Sequence, residues 1–336
     1  MEDLQQKKWP NVSVIIVNWN GEQFLNQCLS ALMNQTVRPY EIILVDNASS
    51  DGSVDIVRRF SCVRLIAFDQ NTGFARGSNL AIKEASAESE WIALINSDAF
   101  AEPHWLEKLI AATQRNPEFD VFASKLLNAR NTSLLDGAGD AYHISGKVWR
   151  LDKDVPALEA ADSECEVFSP CAAAALYRKE AFVDANGFDE DYFCYVEDVD
   201  LGFRLRLLGY RCLFVPDAVV YHVGSATTGG RRGDFAVYHG HRNLVWTYVK
   251  NMPGILFWGF LPIHLALNFI TVIYFVMRGQ GRIILQAKWD AINGIPLMWR
   301  KRRDIQKNRK ASAGEIWKAL DKRFLPGIRQ IRQVWF

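Results

Sequence analysis

The first third of the sequence alternates short apolar runs with helical patterns, and this alternation constrains the fold more than any other feature. The strand-like runs, rich in β-branched residues, are 12–17, 41–45, 63–68 and 91–95, and the helical segments between and after them are 22–33, 53–60 and 74–85. Continuous apolar strands are typical of parallel sheets that are buried on both faces. The order therefore predicts an α/β fold with a right-handed, doubly wound, mostly parallel sheet.

Length, charge and cysteine usage narrow the class of protein. The chain has 336 residues and a net charge of +1, which argues against a dedicated nucleic-acid binder and against disorder. Its six cysteines show no CxxC pair and no zinc spacing, so we expect small core residues in a reducing compartment. Residues 1–10 are polar and charged and do not resemble a signal peptide, so we expect the N-terminal half to stay in the cytoplasm.

Polar residues follow each of the four predicted strands. These segments are 18–21, 46–52, 71–77 and 96–98. Tight turns and helix caps also use Asn, Asp, Ser and Gly, which leaves turn chemistry as an alternative. Turns do not need acidic residues after both the second and the fourth strand, however, and Asp46 and Asp98 stand there. Asp46 could accept hydrogen bonds from a base or ribose, and Asp98 could hold a divalent cation against a diphosphate. Neither GxGxxG nor GxxxxGK[ST] occurs.

An acidic cluster interrupts an otherwise apolar and aromatic stretch at 192–204. Glu197, Asp198 and Asp200 lie there, and carboxylates in apolar surroundings need cations, hydrogen bonds or a proton. The alternative is an ordinary helix start, because acidic residues complement the helix dipole and an apolar helical period follows them. Taken alone, the stretch favours the ordinary helix start, and the rest of the chain has to change that balance.

Six motifs occur in a fixed order over about residues 11–250. They are VSVIIVNWNGEQFLNQCLSAL, EIILVDNASSDGS, NTGFARGSNLAI, WIALINSDAF, GFDEDYFCYVEDVDLGFRLRLLGYR and VVYHVGSAT. In this order and spacing they resemble the family 2 glycosyltransferases with the GT-A fold, in the branch that includes rhamnosyltransferases. The resemblance implies a Rossmann-like catalytic domain at 1–250, with a nucleotide-binding half at about 11–125 and an acceptor and catalytic half at about 126–250.

The resemblance also implies which residues bind a nucleotide-sugar donor. Asp46 would contact the nucleobase, and the remaining predicted donor-binding residues are Asn18, Trp19, Asn20, Asn71, Gly73, Phe74, Asn79 and Ser97. The segment 96–98 stands at the DxD metal motif of the family, with Asn in place of the first Asp. The resemblance therefore implies a divalent cofactor, Mg or Mn, with Asp98 as the main acidic ligand and His222 completing the coordination.

For catalysis, the resemblance makes Asp198 the base of an inverting reaction. A single carboxylate there would remove the proton of the acceptor hydroxyl while the hydroxyl oxygen attacks the anomeric carbon. Glu197 would orient the acceptor or Asp198, and Asp200 would cap the helix or pair with Arg204 at i+4. Tyr192, Phe193 and Tyr195 could stack on the apolar face of a sugar, but core packing is the favoured interpretation.

The region 251–336 predicts a helical, membrane-associating segment. Residues 251–277 contain no Asp, Glu, Lys or Arg and are long enough to cross a bilayer. Pro253 and Pro262 interrupt this run, and His264 and Asn268 lie inside it. Basic residues flank both ends, which favours a re-entrant or interfacial helix pair over a single span. These flanking residues are Arg242, Lys250, Arg278, Arg282, Lys288 and 300–303. A buried core helix is the alternative. An amphipathic stretch at 283–299 and a basic tail at 301–336 suit anionic lipid.

Together these expectations describe an inverting, metal-dependent glycosyltransferase at the cytoplasmic face of the inner membrane. It would move a sugar, L-rhamnose from dTDP-L-rhamnose, onto a saccharide carried by a polyprenyl diphosphate in cell-surface polysaccharide synthesis. A UDP-hexose or galactofuranose transferase is an alternative within the same class. An inactive nucleotide-binding scaffold of a polysaccharide assembly complex is an alternative outside it, and it would be favoured by loss of Asp98 or Asp198, both of which are present.

Overall fold

Strands and helices alternate through the N-terminal half of the computed structural model, which describes residues 9–160, 162–224 and 233–323. The elements of this half are β1 (Val12–Asn18), α1 (Glu22–Met33), β2 (Glu41–Asp46), α2 (Ser53–Arg58), β3 (Val63–Ala67), α3 (Gly73–Lys83), β4 (Trp91–Ile95), β5 (Ala99–Ala101) and α4 (Trp105–Arg115). Every strand and helix predicted for this half is present, and its ends lie within two residues of the prediction.

Short strands dominate the middle of the chain and helices its end. The elements are β6 (Val121–Asn128), β7 (Leu135–Gly137), β8 (Asp140–Tyr142), β9 (Val148–Arg150), β10 (Cys165–Val167), β11 (Ala174–Arg178), α5 (Lys179–Asp184), α6 (Glu197–Leu207), β12 (Cys212–His222), α7 (Asp234–Asn251), α8 (Gly254–Met277), α9 (Gly281–Asn293), α10 (Ile295–Lys307) and α11 (Ala313–Ala319). A single 3₁₀ turn at Glu190–Tyr192 precedes α6.

The main sheet is mixed and mostly parallel, with the strand order β10-β12-β6-β11-β4-β1-β2-β3. β1 pairs in parallel with both β2 and β4, whereas β11 runs antiparallel to both of its neighbours. The predicted α/β fold is therefore confirmed. The parallel register places Asn18 beside Asp46 at the carboxyl edge of the sheet. The pairing of β12 with β5 places His222 opposite Ala99, next in sequence to Asp98.

The core lies on both faces of this sheet because successive side chains of a strand point in opposite directions. From β1, Val14 and Ile16 enter one apolar cluster and Ile15 enters the other. The expectation that the cysteines are core residues holds only in part, since Cys62 and Cys165 are exposed.

A third apolar cluster joins the middle of the chain to the C-terminal helices. It contains Tyr142 and Phe203 together with Trp246 from α7, Met298 from α10 and Ile316 from α11. Residues on both sides of the predicted domain boundary at 250 therefore share one core. That boundary coincides with the break between α7 and α8.

α8 is one continuous helix of 24 residues that contains Pro262. The expectation that Pro262 interrupts the run is wrong, because a proline inside a long helix removes a single backbone hydrogen bond and the helix continues on either side. Pro253 directly precedes α8, where its missing N–H costs nothing. Among the described residues, α8 alone is long and apolar enough to cross a membrane, and only 17% of its most apolar window is buried. The alternative that α8 is a buried core helix is therefore not supported. Residues 324–336 of the predicted basic tail lie outside the described residues.

Candidate active site

The first part of the site is the pair formed by Asn18 and Asp46 at the ends of β1 and β2. Asp46 is 1% exposed and accepts hydrogen bonds from Asn18 Nδ2 at 2.9 Å, Ser49 Oγ at 2.7 Å and Ser49 N at 2.9 Å. The other amide atom, Asn18 Oδ1, is buried and has no donor among the described residues. The ends of β1 and β2 are thus joined by a side-chain hydrogen bond, and Asn18 Oδ1 remains as a buried acceptor that no described donor satisfies.

The residues around this pair occupy tight turns. Asn20 has a left-handed backbone with a φ of 50°, and its Oδ1 accepts from Ser50 N at 2.8 Å. Gly21 is required, since a Cβ there would stand 2.2 Å from Asn18 Oδ1 and 3.1 Å from Ser97 Oγ. Trp19 is half-buried beside them in the chain. Four of the predicted donor-binding residues therefore lie at the adjacent carboxyl ends of β1 and β4, namely Asn18, Trp19, Asn20 and Ser97.

The loop before α3 is held by Asn47, a residue that the sequence analysis did not single out. Its Oδ1 accepts from Thr72 N at 2.8 Å and its Nδ2 donates to Gly73 O at 3.0 Å. Asn71 Oδ1 accepts from Gly73 N at 2.9 Å. Gly73 has a φ of 85°, and a Cβ there would lie 2.5 Å from Phe193 O, so only glycine fits. This loop therefore closes directly on the segment that precedes α6.

Asn79 stands behind that loop rather than beside it. Both ends of its amide bind the backbone of Phe188, with Oδ1 accepting from the N–H at 2.8 Å and Nδ2 donating to the carbonyl at 2.9 Å. Phe74 packs edge-on against the Phe188 ring at 5.6 Å. Asn79 thus braces α3 against the 188–190 turn, and its contact with a nucleotide stays a prediction.

Asp98 and His222 meet at the opposite side of the same sheet edge. His222 Nε2 lies 3.4 Å from Asp98 Oδ1, and His222 Nδ1 lies 2.8 Å from Asp136 Oδ2. Gly224 N donates to Asp98 Oδ2 at 3.2 Å. The predicted pair of metal ligands is therefore brought together, and Asp136, which the sequence analysis did not identify, orients the imidazole.

Without a metal ion, the charges at this point favour an ionised pair of Asp98 and His222, and a bound cation would take the place of the proton on His222 Nε2. Burial lowers the pKa of His222, but its hydrogen bond to Asp136 and its 3.4 Å contact with Asp98 outweigh burial and raise the pKa to about 9. Burial raises the pKa of Asp98, but the proximity and charge of His222 lower it below its ordinary value. Asp136 also pairs with Arg150 at 3.2 Å and with Lys153 at 2.7 Å. Positive and negative side chains therefore alternate in the group formed by Asp98, His222, Asp136, Arg150 and Lys153.

The donor atoms fit a divalent metal. His222 Nε2 is buried and makes no hydrogen bond of good geometry, while a carboxylate holds its other nitrogen, the arrangement found at metal-ligating histidines. Asp98 supplies a hard carboxylate oxygen next to it. No cluster of three or more His, Cys, Asp or Glu side chains suited to a metal occurs within the described ranges. Any ion held by Asp98 and His222 would therefore need further oxygens from a bound diphosphate or water.

The acidic motif forms the first turn of α6, where neighbouring carboxylates have different surroundings. Asp198 is half-buried, and it accepts from Val199 N at 2.8 Å and from Ala172 N at 3.1 Å. Glu197 is 7% exposed and its Oε2 has no partner among the described residues. Burial raises the pKa of Glu197 well above its ordinary value, and the charge of Asp198 raises it further. Burial thus disfavours a charge on Glu197, whereas two backbone N–H groups hold the carboxylate of Asp198.

Asp200 is fully buried and serves as an ionic anchor. The predicted i,i+4 pair with Arg204 is confirmed at 2.9 Å, and Lys250 Nζ lies 2.8 Å from the other carboxylate oxygen. Asp200 Oδ1 also accepts from Asn251 Nδ2 at 2.8 Å and from the Tyr192 hydroxyl at 3.1 Å. Burial raises the pKa of Asp200, but the charges of Lys250 and Arg204 lower it below its usual range. Lys250, expected only as a membrane flank, is therefore part of the core.

The backbone ahead of α6 is strained and is held by α7. Phe193, Tyr195 and Val196 have φ values of 65°, 65° and 70°, a region that non-glycine residues seldom occupy. Asn243 Nδ2 donates to the carbonyls of Cys194 at 3.0 Å and Tyr195 at 2.8 Å. Such strain persists where the surroundings fix it, and it is frequent at functional sites. The position of this strained backbone therefore indicates that the start of α6 belongs to a functional site.

Comparisons with known proteins agree with this geometry. The model for Glycosyl transferase family 2 matches residues 13–183. An N-acetylglucosaminyl-diphospho-decaprenol L-rhamnosyltransferase of Mycobacterium tuberculosis is 29% identical over 237 residues, which cover 64% of this chain and 77% of the relative. The O-antigen biosynthesis protein RfbC of Myxococcus xanthus is 28% identical over 236 residues, 67% of this chain and 18% of that protein.

Two solved structures show the same fold. The mannosyltransferase PcManGT from Pyrobaculum calidifontis in complex with GDP-Man and Mn2+ aligns with a TM-score of 0.53 and 16% identity, over 93% of this chain and 88% of that one. GalNAc-T7 with UDP, GalNAc and Mn2+ aligns with a TM-score of 0.59 and 16% identity, over 73% of this chain and 48% of that one. At this identity the likeness concerns the arrangement of strands and helices.

Proposed function

The chain belongs to the family 2 glycosyltransferases and has the GT-A fold, and from that premise we propose an inverting, metal-dependent transferase that uses dTDP-L-rhamnose. Its acceptor would be a saccharide on a polyprenyl diphosphate, used at the cytoplasmic face of the inner membrane. The M. tuberculosis relative, whose name specifies an L-rhamnosyltransferase and a diphospho-decaprenol carrier, supports the choice of donor and acceptor.

The observation that carries the proposal is that the base candidate and the main metal-ligand candidate are tied to neighbouring residues at one edge of the sheet. Asp198 accepts a hydrogen bond from Ala172 N at 3.1 Å. The next carbonyl, Ala173 O, accepts from Asn96 N at 3.0 Å, two residues before Asp98. The start of α6 and the metal-ligand candidate Asp98 are therefore held at the same sheet edge, as a transferase needs for its acceptor and its donor.

In this mechanism Asp198 takes the proton of the acceptor hydroxyl. The hydroxyl oxygen forms a bond to the anomeric carbon as the bond from that carbon to the diphosphate breaks, and the electron pair leaves with the nucleoside diphosphate. The N–H groups of Val199 and Ala172 fix the carboxylate in position. A divalent ion held by Asp98 and His222 would neutralise the charge that develops on the leaving diphosphate.

Membrane contact is supported by the orientation of α8, whose polar side faces inward. His264 is 4% exposed and Thr271 is 0% exposed, whereas Trp258, Leu265 and Phe269 are 64%, 59% and 67% exposed. A helix on a protein in water shows the opposite pattern. An apolar face of this size, continued on α9 by Leu285, Trp289 and Ile292, fits insertion into the boundary between lipid headgroups and acyl chains.

A panel of nucleotide sugars with Mg or Mn tests the enzymatic proposal by thermal shift and turnover. We expect dTDP-L-rhamnose to stabilise the protein and to be consumed with a lipid-linked saccharide. Turnover with a UDP-hexose alone would identify that sugar nucleotide as the donor in place of dTDP-L-rhamnose. Donor binding without turnover would favour the scaffold alternative.

The membrane contact is tested by extraction. We expect the full chain to stay with membranes in high salt and to need detergent for extraction, and release by salt would contradict apolar insertion.

A further inference from the structure

Two lysines and two histidines lie together behind the exposed apolar face of α8. They are Lys147 in the turn between β8 and β9, His241 on α7, His264 on α8 and Lys288 on α9. We call these four residues the lysine–histidine cluster. Four separate elements contribute to it, so it is a feature of the assembled C-terminal region and not of one helix.

The partners of the two ammonium groups are all uncharged. Lys147 Nζ donates to Thr271 Oγ1 at 2.8 Å. Lys288 Nζ donates to Asn268 Oδ1 at 2.6 Å and to the His241 carbonyl at 3.0 Å. No Asp or Glu in the ranges that the structure describes forms an ion pair with either lysine. The cluster therefore carries positive charge that the described protein does not neutralise.

Elsewhere the chain does neutralise a buried lysine. Lys250 is 1% exposed, and its ammonium lies 2.5 Å from Asp189 and 2.8 Å from Asp200. Lys147 is buried to a similar degree, at 6% exposure, with a single hydroxyl partner. Because an unpaired buried charge is costly, the difference indicates that a counter-charge that the described residues do not supply completes the cluster.

Titration behaviour and an unsatisfied nitrogen support this interpretation. Burial lowers the pKa of Lys147 to about 8, and burial together with the charge of Lys147 lowers the pKa of Lys288 well below its ordinary value. His241 is 5% exposed, and its Nδ1 has no hydrogen-bond partner among the described residues. Burial also lowers the pKa of His264 to about 4 and that of His241 well below its ordinary value, so the positive charge of the cluster belongs to the two lysines. These two ammonium groups oppose each other, and a bound anion would stabilise both of them.

The cluster reaches the surface at Lys288, in the middle of apolar side chains. Lys288 is half-buried, and its neighbours one turn away on α9, Leu285 and Ile292, are 55% and 58% exposed. Its partner Asn268 precedes Phe269, which is 67% exposed on α8. An ammonium group with apolar side chains around it matches the boundary between a phosphate headgroup and acyl chains.

We propose that the lysine–histidine cluster binds the phosphate of an anionic phospholipid headgroup when α8 and α9 lie in the membrane surface. The inference rests on the membrane contact proposed above and adds a defined site to it. A bulk phospholipid is favoured over the diphosphate of the acceptor carrier because the site opens on the outward faces of α8 and α9. The candidate base, in contrast, lies at the start of α6.

The basic cluster at 300–303 fits this role less well. Lys301 pairs with Asp189 at 2.5 Å and with Asp191 at 2.6 Å. Arg302 is 7% exposed and donates to the Val249 carbonyl at 2.8 Å. Half of the basic run that the sequence marks for lipid is thus engaged within the protein.

The test is binding of the full chain to phosphatidylcholine vesicles with and without phosphatidylglycerol. We expect phosphatidylglycerol to tighten binding of the wild type, and Lys288→Gln and Lys147→Gln each to reduce that gain about fivefold. Lys288→Arg keeps the charge and should retain most of the gain. Arg282→Gln is the matched control, because it removes one exposed positive charge of the same helix outside the cluster and should change binding less than twofold.

Several results would overturn the proposal. An equal loss in Arg282→Gln would show diffuse surface charge, and an unchanged gain in both lysine variants would show that the cluster binds no headgroup. A higher KM of Lys288→Gln for the lipid-linked acceptor in detergent without phospholipid would assign the site to the carrier diphosphate instead. Failure of the wild type to bind either kind of vesicle would reject the membrane contact itself, whereas equal binding to both would reject this inference alone. Melting temperatures of the variants confirm that each is folded.

Discussion

Two acidic sites of this molecule use carboxylates in different ways. At the sheet-edge site, Asp98 and Asp136 share the imidazole of His222, with distances of 3.4 Å and 2.8 Å. At the helix-start site, Glu197 and Asp198 are adjacent in sequence but have separate surroundings, one buried without a partner and the other held by two backbone N–H groups. At these two sites, burial and hydrogen-bond partners determine the properties of each carboxylate more than its residue type does.

The two sites are also assembled differently. The register of β12 against β5 brings together residues far apart in the sequence at the sheet edge. At the helix start, the 100° step between successive helical residues sends neighbouring carboxylates to different sides. Substitutions at the two sites should therefore change different quantities, kcat at the helix start and metal-dependent nucleotide affinity at the sheet edge.

The largest effect is expected for Asp198→Asn. Removing a general base from an otherwise intact site lowers kcat by about 10²- to 10⁴-fold, while donor affinity stays near that of the wild type. Single-turnover kinetics and calorimetry with the nucleotide measure the two quantities. Asp55→Asn, at an exposed ion pair on α2, is the control and should retain full activity. A nearly unchanged kcat in Asp198→Asn would move the base to Glu197 or reject the mechanism.

Asp200→Asn should affect stability most strongly. The change leaves Arg204 and Lys250 facing a neutral amide in a fully buried position, and breaking a buried pair in this way costs about 3–5 kcal/mol in the free energy of unfolding. Urea denaturation measures the loss. Lys301→Gln serves as the comparison, because Lys301 is 32% exposed and its removal should cost about 1 kcal/mol or less. Equal losses in the two variants would show that Asp200 is no special anchor.

At the sheet-edge site we expect a smaller change, in metal-dependent affinity. Asp98→Ala should weaken nucleotide binding in the presence of Mn by about 10- to 100-fold, and His222→Ala should weaken it less, because the carboxylate carries the negative charge that the ion requires. Titration calorimetry with dTDP and Mn gives both values, and the same titration with a chelator should show little difference among the proteins. Unchanged affinity in Asp98→Ala would reject the metal assignment.

The sequence predicts the alternating half of the fold well because each of its strands is a continuous apolar run with its own turn chemistry. Asp98 and His222 could be paired only through the family resemblance, since nothing local says that β12 returns beside β5. Asp136 lies in a strand of three residues, too short to show a periodic pattern. Its role depends on contacts that form only in the folded chain.

The C-terminal region shows the limit of reading composition alone. Lys250 and Lys301 look like membrane flanks in the sequence, yet both pair with Asp189, at 2.5 Å each. Asn243 holds the backbone ahead of α6 through its amide, and a single Asn on a helix carries no signal of such a role. Tertiary contacts decide these positions, and they connect the proposed membrane helices to the catalytic motif.

The smallest effect is expected for Glu197→Gln, which should leave kcat within about threefold of the wild type because the substitution removes only a charge that burial already disfavours. Burial and the charge of Asp198 raise the pKa of Glu197 well above its ordinary value, so the native state keeps a proton that the unfolded chain releases above about pH 4.5. The native state then binds more protons than the unfolded state, and this group makes the wild type less stable as pH rises from there toward the raised pKa. Glutamine removes that dependence, so the variant should gain stability relative to the wild type as the pH rises above about 4.5. Urea midpoints measured across this rise in pH give the difference. A large loss of kcat in Glu197→Gln combined with an active Asp198→Asn would exchange the two roles at the helix start and leave the sheet-edge site unchanged.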